Sequence, residues 1–135
     1  GDPECQTILP LLKNDFVEIL KNCIDENLKQ IKLNWKNEKS ICIVLTSKGY
    51  PDKFEKNILI NNLENVSNME NQYIFHAGTK FERKKFFSNG GRVLNFVSIN
   101  ENFKLARKNA LSLVKILNWQ NGHYRRDIGY KVIDN

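Results

Sequence analysis

Glycine, proline and cysteine are all scarce in this 135-residue chain, which contains 7, 3 and 3 of them. So little glycine and proline excludes a collagen-like or low-complexity chain. The cysteines are odd in number and none forms a Cys-x-x-Cys pair, which argues against a disulfide framework or a zinc site and indicates a reducing, cytoplasmic setting. No apolar run approaches the roughly 20 residues that a membrane helix needs, so no membrane partner is expected.

The composition is that of a globular protein, with 41% hydrophobic and 27% charged residues. The net charge of +6 raises the alternative of a basic module that binds RNA or another anion. Phe86 and Phe87 beside Lys84 and Lys85 are the residues that could stack bases. The lysines are scattered along the chain, however, and the aromatic residues mostly fall in phase with a core, so no nucleic-acid partner is expected.

Helical periodicity dominates the N-terminal part. Apolar residues recur every three or four positions over residues 7–28, which predicts two abutting helices, the first of them short. Asn14 is the predicted N-cap of the second helix, over residues 15–27. Residues 29–40 are polar and read as a connector that carries Trp35.

The remainder of the chain has the pattern of strands and one further helix. Asn89-Gly90-Gly91 predicts a hairpin turn between a charged run and a following strand. A clear apolar stripe predicts a helix over residues 101–117. Hairpin signals between strands indicate an α+β fold with a mostly antiparallel sheet and one long helix. The predicted strands are residues 41–45, 57–60, 73–76 and 92–99.

Asp2-Pro3-Glu4 is the first candidate functional motif. An Asp before a Pro and an acidic residue is a complete helix-start signal, with Asp2 as the N-cap and Pro3 at the first helical position. The functional alternative is that the Asp2 carboxylate faces a ligand that carries an amine.

Two arginine clusters are candidate anion sites. Arg92 follows Gly90 and Gly91, whose backbone can approach a ligand closely and whose amides can face an anion. Arg125 and Arg126 form the second cluster. Arginine is rare here, at five against sixteen lysines, so its planar fork draws attention where geometry matters. Plain alternatives are an exposed arginine in a hairpin and an ion pair between the second cluster and a neighbouring Asp.

Other chemistry has no support in the sequence. His76 and His123 are isolated, and no residues stand at metal-ligand spacing, so no metal site is predicted. The chain also lacks a phosphate-binding glycine loop and a nucleophile motif.

Six short motifs occur together in order and cover nearly the whole chain, which thereby resembles the C-terminal part of the phosphoribosylamine–glycine ligase family of ATP-grasp enzymes. Each motif is weak by itself, and together they are specific. The motifs are GDPECQ (1–6), LPLLKNDFVEIL (9–20), KGYP (48–51), FHAGT (75–79), NGGRVL (89–94) and YRRDIGY (124–130).

The resemblance implies a boundary and a reaction. Residues 1–38 would be the helical end of an ATP-grasp domain, and residues 39–135 would be the family's C-terminal domain. The implied enzyme is a carbon–nitrogen ligase of purine (IMP) biosynthesis that joins glycine to 5-phosphoribosylamine with ATP and Mg²⁺ or Mn²⁺. Asp2 would orient the substrate amine, Gly90, Gly91 and Arg92 would hold ribose or phosphate, and Arg125 and Arg126 would add positive charge.

The resemblance also implies that part of the enzyme lies outside this sequence. The family's metal ligands and ATP-clamping strands would precede Gly1, so the chain alone is expected to bind no cofactor and to be inactive. Its partners would be the substrates and the remainder of the ligase polypeptide. The alternative is a non-catalytic subunit that pairs with a separate ATP-grasp chain.

Overall fold

A four-stranded antiparallel sheet with one long helix against it forms the body of the structure, a computed structural model that describes residues 1–66 and 69–133. The strand order is β2-β5-β1-β6, and β1 and β5 pair along almost their whole length, with Ile43 opposite Phe96. A separate hairpin joins β3 to β4. The bounds are β1 Lys39–Ser47, β2 Gln72–His76, β3 Thr79–Glu82, β4 Lys85–Ser88, β5 Arg92–Asn100 and β6 Gly122–His123.

The long helix α3 covers one face of this sheet. It runs over Phe103–Leu117, and the Asn102 side chain caps it by accepting a hydrogen bond from the amide of Leu105 at 2.9 Å. Its apolar stripe meets alternate residues of β1 and β5 in a continuous core. The predicted α+β architecture with an antiparallel sheet and one long helix is therefore confirmed. The buried helix residues are Ala106, Ala110, Leu113, Val114 and Leu117.

The N-terminal segment forms two helices, as the periodicity predicts, but with different limits. Helix α1 covers Glu4–Ile8 and tightens into a 3₁₀ turn, and α2 covers Phe16–Ile24. The cap of α2 is Asp15, whose carboxylate accepts from the amide of Val17, so the prediction of Asn14 was wrong by one position. Asn14 instead accepts a hydrogen bond from the amide of Asn34 and holds the following connector.

The predicted hairpin at Asn89-Gly90-Gly91 is also wrong. Strands β4 and β5 belong to different sheets, and the glycine segment carries the chain from one to the other. The tight turn lies instead at Arg83 and Lys84, which adopt φ values of 49° and 60°. Left-handed backbone at two successive positions matches the right-handed twist of a hairpin, even though neither residue is a glycine.

The strand predicted at residues 57–60 is replaced by an irregular segment. It follows β4 through three backbone hydrogen bonds, including Ile60 to Phe86 at 2.8 Å, but only Leu59 forms a bridge, opposite Phe87. The positive φ of Asn57, 63°, is incompatible with a regular strand there.

Candidate functional site

Asp2 lies on the face of the sheet that α3 does not cover. Its Oδ1 accepts hydrogen bonds from Asn95 Nδ2 at 3.2 Å and from Gln6 Nε2 at 3.3 Å. Its side chain does not cap α1, whose N-cap position is Pro3 and carries no side-chain hydrogen bond. The helix-start interpretation of Asp2 is therefore wrong, and the carboxylate is turned toward the middle of β5.

Arg92 reaches the same residue from the start of β5. Its Nη1 donates to the backbone carbonyl of Asp2 at 2.7 Å, and its Nε lies 3.6 Å from Asp2 Oδ2. Both side chains keep substantial exposure, 43% for Arg92 and 36% for Asp2. The two residues, which are 90 positions apart in sequence, thus form a half-exposed pair of opposite charges.

A β-bulge aims Arg92 at this face. Leu45 of β1 pairs with Leu94, but the next residue, Thr46, pairs with Arg92, which leaves Val93 as the extra residue. In a regular strand, residues three apart point to opposite faces, so Arg92 and Asn95 would be separated by the sheet. The extra residue restores them to one side, and both contact Asp2.

The Gly90–Gly91 segment is held by close packing rather than by left-handed backbone. Neither glycine has a positive φ. A Cβ on Gly91 would lie 2.1 Å from the ring of Tyr50, and one on Gly90 would lie 3.1 Å from the Cα of Gly78. Ser47 fixes the segment further, because its Oγ donates to the Gly90 carbonyl at 2.9 Å and its amide to the Gly91 carbonyl at 2.7 Å.

The second arginine cluster follows β6 at the same end of the sheet. Thr46 of β1 pairs with Arg92 of β5 on one side and with His123 of β6 on the other. Arg125 lies only two residues after His123. Arg125 forms a two-pronged ion pair with Asp127, with contacts of 3.1 and 2.6 Å. This pair lowers the pKa of the exposed Asp127 carboxyl.

Arg126 is exposed and offers its backbone carbonyl to Arg107 Nη2. Within residues 1–66 and 69–133, no hydrogen bond or ion pair joins either arginine of the second cluster to Asp2 or Arg92. The structure therefore brings Asp2 together with the first cluster and places the second cluster nearby without contact.

Sequence reasoning missed Asn95 and Gln6. An Asn in the middle of a mainly apolar strand is the sequence signal for Asn95, and Gln6 stands out only as the last residue of the GDPECQ motif. Cys42 is a third neighbour of the site, since its thiol interacts electrostatically with the Asp2 carboxylate. Burial, with a smaller contribution from that carboxylate, raises the pKa of the Cys42 thiol to about 12.

The remaining chemical candidates lie elsewhere. His76 Nδ1 is within 2.8 Å of Thr79 Oγ1, and burial lowers the pKa of its imidazole. Phe86 packs against the core, and the Lys80 ammonium lies over the ring of Phe87. Among the described residues, no group of three or more His, Cys, Asp or Glu side chains is placed to hold a metal ion, and no helix is long and apolar enough to cross a membrane.

Comparison with known proteins identifies a family and relatives for this chain. The family model described as "Phosphoribosylglycinamide synthetase, C domain" matches residues 40–131. A crystal structure of a phosphoribosylamine–glycine ligase from Thermotoga maritima superposes with a TM-score of 0.70 at 31% identity, over 94% of this chain and 30% of that one.

Curated relatives show the same relationship. The phosphoribosylamine–glycine ligase of Fusobacterium nucleatum is 43% identical over 96% of this chain and 30% of its own length. That of Caldanaerobacter subterraneus is 40% identical over 95% and 30%. A bifunctional purine biosynthetic protein of Dictyostelium discoideum is 38% identical over 99% and 17%. The chain thus spans less than a third of the length of these relatives.

Proposed function

Because this chain belongs to the phosphoribosylglycinamide synthetase C-domain family, we propose that it works as the C-terminal part of a cytoplasmic ATP-dependent ligase. The reaction joins glycine to 5-phosphoribosylamine and converts ATP to ADP and phosphate, giving glycinamide ribonucleotide for purine biosynthesis. In this proposal, residues 1–38 are the helical end of the ATP-grasp domain and residues 39–135 are the C-terminal domain.

The chemistry divides between this chain and the remainder of the ligase polypeptide. ATP phosphorylates the glycine carboxylate, and the amine of phosphoribosylamine then attacks the resulting acyl phosphate. The proposal assigns ATP and its Mg²⁺ or Mn²⁺ to the remainder of the polypeptide, because the described residues do not form a set of metal ligands. This chain's contribution is to bind and orient phosphoribosylamine.

The observation that carries this assignment is the meeting of Asp2 and Arg92 beside the Gly90–Gly91 segment. Asp2 Oδ2 lies 3.6 Å from the guanidinium, beyond hydrogen-bond distance, and can accept a hydrogen bond from the substrate amine. The exposed part of the Arg92 fork suits two oxygens of a phosphate or ribose. Arg125 and Arg126 would raise the local positive potential from the neighbouring edge.

The N-terminal helices support the proposed partner. Four apolar side chains of α2 are 46–81% exposed, namely Phe16, Val17, Leu20 and Ile24. An apolar surface of this kind on a polar chain is typical of an interface. We assign it to contact with the remainder of the ligase polypeptide, which in the relatives is more than twice as long as the segment that this chain matches.

The test is a chimera in which this chain replaces the matching segment of the Fusobacterium nucleatum ligase. Arg92→Ala should lower kcat/KM for phosphoribosylamine by about ten- to a hundredfold, since hydrogen bonds to charged groups contribute roughly 1.5–3 kcal/mol. Arg92→Lys should recover only part of this loss because an ammonium cannot form the fork. Arg83→Ala, in the exposed hairpin turn, is the matched control.

Two further measurements test whether Arg92 acts only on phosphoribosylamine and whether this chain needs the remainder of the ligase. The KM values for ATP and glycine should stay within about twofold in the Arg92 variants. This chain by itself, incubated with all three substrates and Mg²⁺, should release no ADP above background. An Arg92→Ala chimera that keeps its kcat/KM but unfolds at a lower temperature would show that Arg92 is a structural ion-pair residue instead.

A further inference from the structure

The buried side-chain amide of Asn95 is unfavourable for folding stability. It is fully buried in β5, with Leu94 and Phe96 beside it in sequence, both also fully buried. Burying a side-chain amide costs free energy unless its polar atoms are hydrogen-bonded. The Nδ2 of Asn95 donates to Asp2, but its Oδ1 is buried and has no hydrogen-bond partner among the described residues. The Asn95 amide is therefore only partly hydrogen-bonded, and the bond that it does make is to the Asp2 carboxylate.

Gln6 repeats the arrangement from the other side. Its Nε2 donates to the same oxygen, Asp2 Oδ1, while its Oε1 is buried without a partner in the described part of the chain. Two neutral amides, one from α1 and one from β5, thus converge on one carboxylate oxygen. Among residues 1–66 and 69–133, the other oxygen, Oδ2, accepts no hydrogen bond and has the guanidinium of Arg92 at 3.6 Å.

We propose that Asn95, with Gln6 in support, is a positioning residue that fixes the Asp2 carboxylate so that Oδ2 faces the substrate amine. This proposal rests on the proposed function and deepens it. A carboxylate held at one oxygen by two amide donors cannot rotate freely about its last torsion, so its second oxygen keeps one direction. Orientation of this kind raises the rate of the step that uses the held group and leaves the earlier steps unchanged.

The step that depends on Asp2 can be separated from the step before it. In the chimera described above, hydroxylamine can replace phosphoribosylamine. It attacks the carbonyl of glycyl phosphate, forms glycine hydroxamate and releases phosphate. Because hydroxylamine lacks the ribose and phosphate, its reaction reports the formation of the acyl phosphate without the amine site.

The variants are Asn95→Leu, which keeps the number and branching of the side-chain heavy atoms and removes the amide, and Ser98→Ala as the matched control. Ser98 lies on the same strand and is fully buried, and its side-chain oxygen also has no hydrogen-bond partner within the described part of the chain, where the Asp2 side chain bonds to Gln6 and Asn95 and not to Ser98. Asn95→Leu should lower amide formation from phosphoribosylamine by about ten- to a hundredfold. Hydroxamate formation and the KM for ATP and glycine should stay within about twofold, and Ser98→Ala should change none of them.

The outcomes are distinct. Equal losses in both reactions, or an unchanged rate with phosphoribosylamine, would overturn the positioning role of Asn95 and leave the proposed function standing. A wild-type chimera without ligase activity would count against the proposed function, and the role of Asn95 is then decided on this chain by NMR. Asp2→Ala should shift the side-chain amide signals of both Asn95 and Gln6, and unchanged signals would refute the assignment.

Discussion

Gly91→Ala is the substitution that most directly tests how the Gly90–Gly91 segment is held. A Cβ at Gly91 would lie 2.1, 2.5 and 3.2 Å from three ring atoms of Tyr50, and separations under about 3 Å require movement. The backbone of Gly91 is not in the left-handed region, so alanine introduces no strain of its own. The expected effect is therefore displacement of the Tyr50 ring.

The size of the effect follows from what Tyr50 would lose. Tyr50 is 38% exposed, and its ring makes an edge contact with Phe54 at a centroid distance of 6.0 Å. Because the ring is partly exposed and can turn toward solvent, the lower end of the cost of overpacking applies, about 1 kcal/mol, together with about 0.5–1.5 kcal/mol for the lost aromatic pair. We expect Gly91→Ala to lower the free energy of unfolding by about 2 kcal/mol. For a chain of this length that corresponds to a fall in Tm of about 6–10 °C.

A double-mutant cycle with Tyr50→Ala, followed by thermal and urea denaturation, measures this contact. In the Tyr50→Ala background, Gly91→Ala should cost less than about 0.5 kcal/mol because the clashing ring is absent. Gly90→Ala is the comparison variant, because its Cβ would lie 3.1 Å from the backbone Cα of Gly78 and not against Tyr50, so its cost should be the same with and without the Tyr50 ring. A cost for Gly91→Ala that is unchanged by the removal of Tyr50 would refute the reasoning.

Two further predictions concern the N-terminal helices and the thiols. The isolated chain should associate beyond a monomer in light scattering. Ile24→Glu should reduce this association, whereas Val132→Glu, at an exposed apolar residue far along the chain, should not. A monomer in which α2 is protected from hydrogen exchange would contradict the prediction. Burial raises the pKa of the Cys42 thiol to about 12. At pH 8, iodoacetamide should therefore alkylate Cys42 roughly a thousandfold more slowly than a thiol with the ordinary pKa of 9.0. The exposed thiols of Cys5 and Cys23 should react first. Equal rates for all three would show that the Cys42 thiol is accessible.

The sequence alone was sufficient for the elements whose burial pattern is local. Strands β1 and β5 and helix α3 were predicted to within a few residues, because the two strands are runs of β-prone, mainly apolar residues and the helix carries an apolar stripe of helical period. Asp2 and Arg92 were also recognised as chemically notable, since a carboxylate before a proline and a rare arginine after two glycines are visible without coordinates.

The tertiary structure decided how those residues are used. Gly90 and Gly91 do not form the hairpin turn that their type favours, because β4 and β5 pair with other strands. A glycine is needed at position 91 for packing, since the Tyr50 ring occupies the space that a side chain would need. The hairpin turn instead occurs at Arg83 and Lys84, where strand pairing imposes a backbone that neither residue prefers.

The site itself depends on contacts that no local pattern encodes. The extra residue Val93 turns Arg92 to the face on which α1 lies, and only there can it meet Asp2. Asn95 joins them because the pairing of β5 with β1 and β2 sets which face each of its residues occupies. Sequence pattern identifies which residues are buried, whereas strand register and the bulge determine which polar side chains share a face. Register follows from the pairing of distant strands, such as Leu45 with Leu94, and it is this pairing that brings Asn95 to Asp2, 93 positions away in sequence.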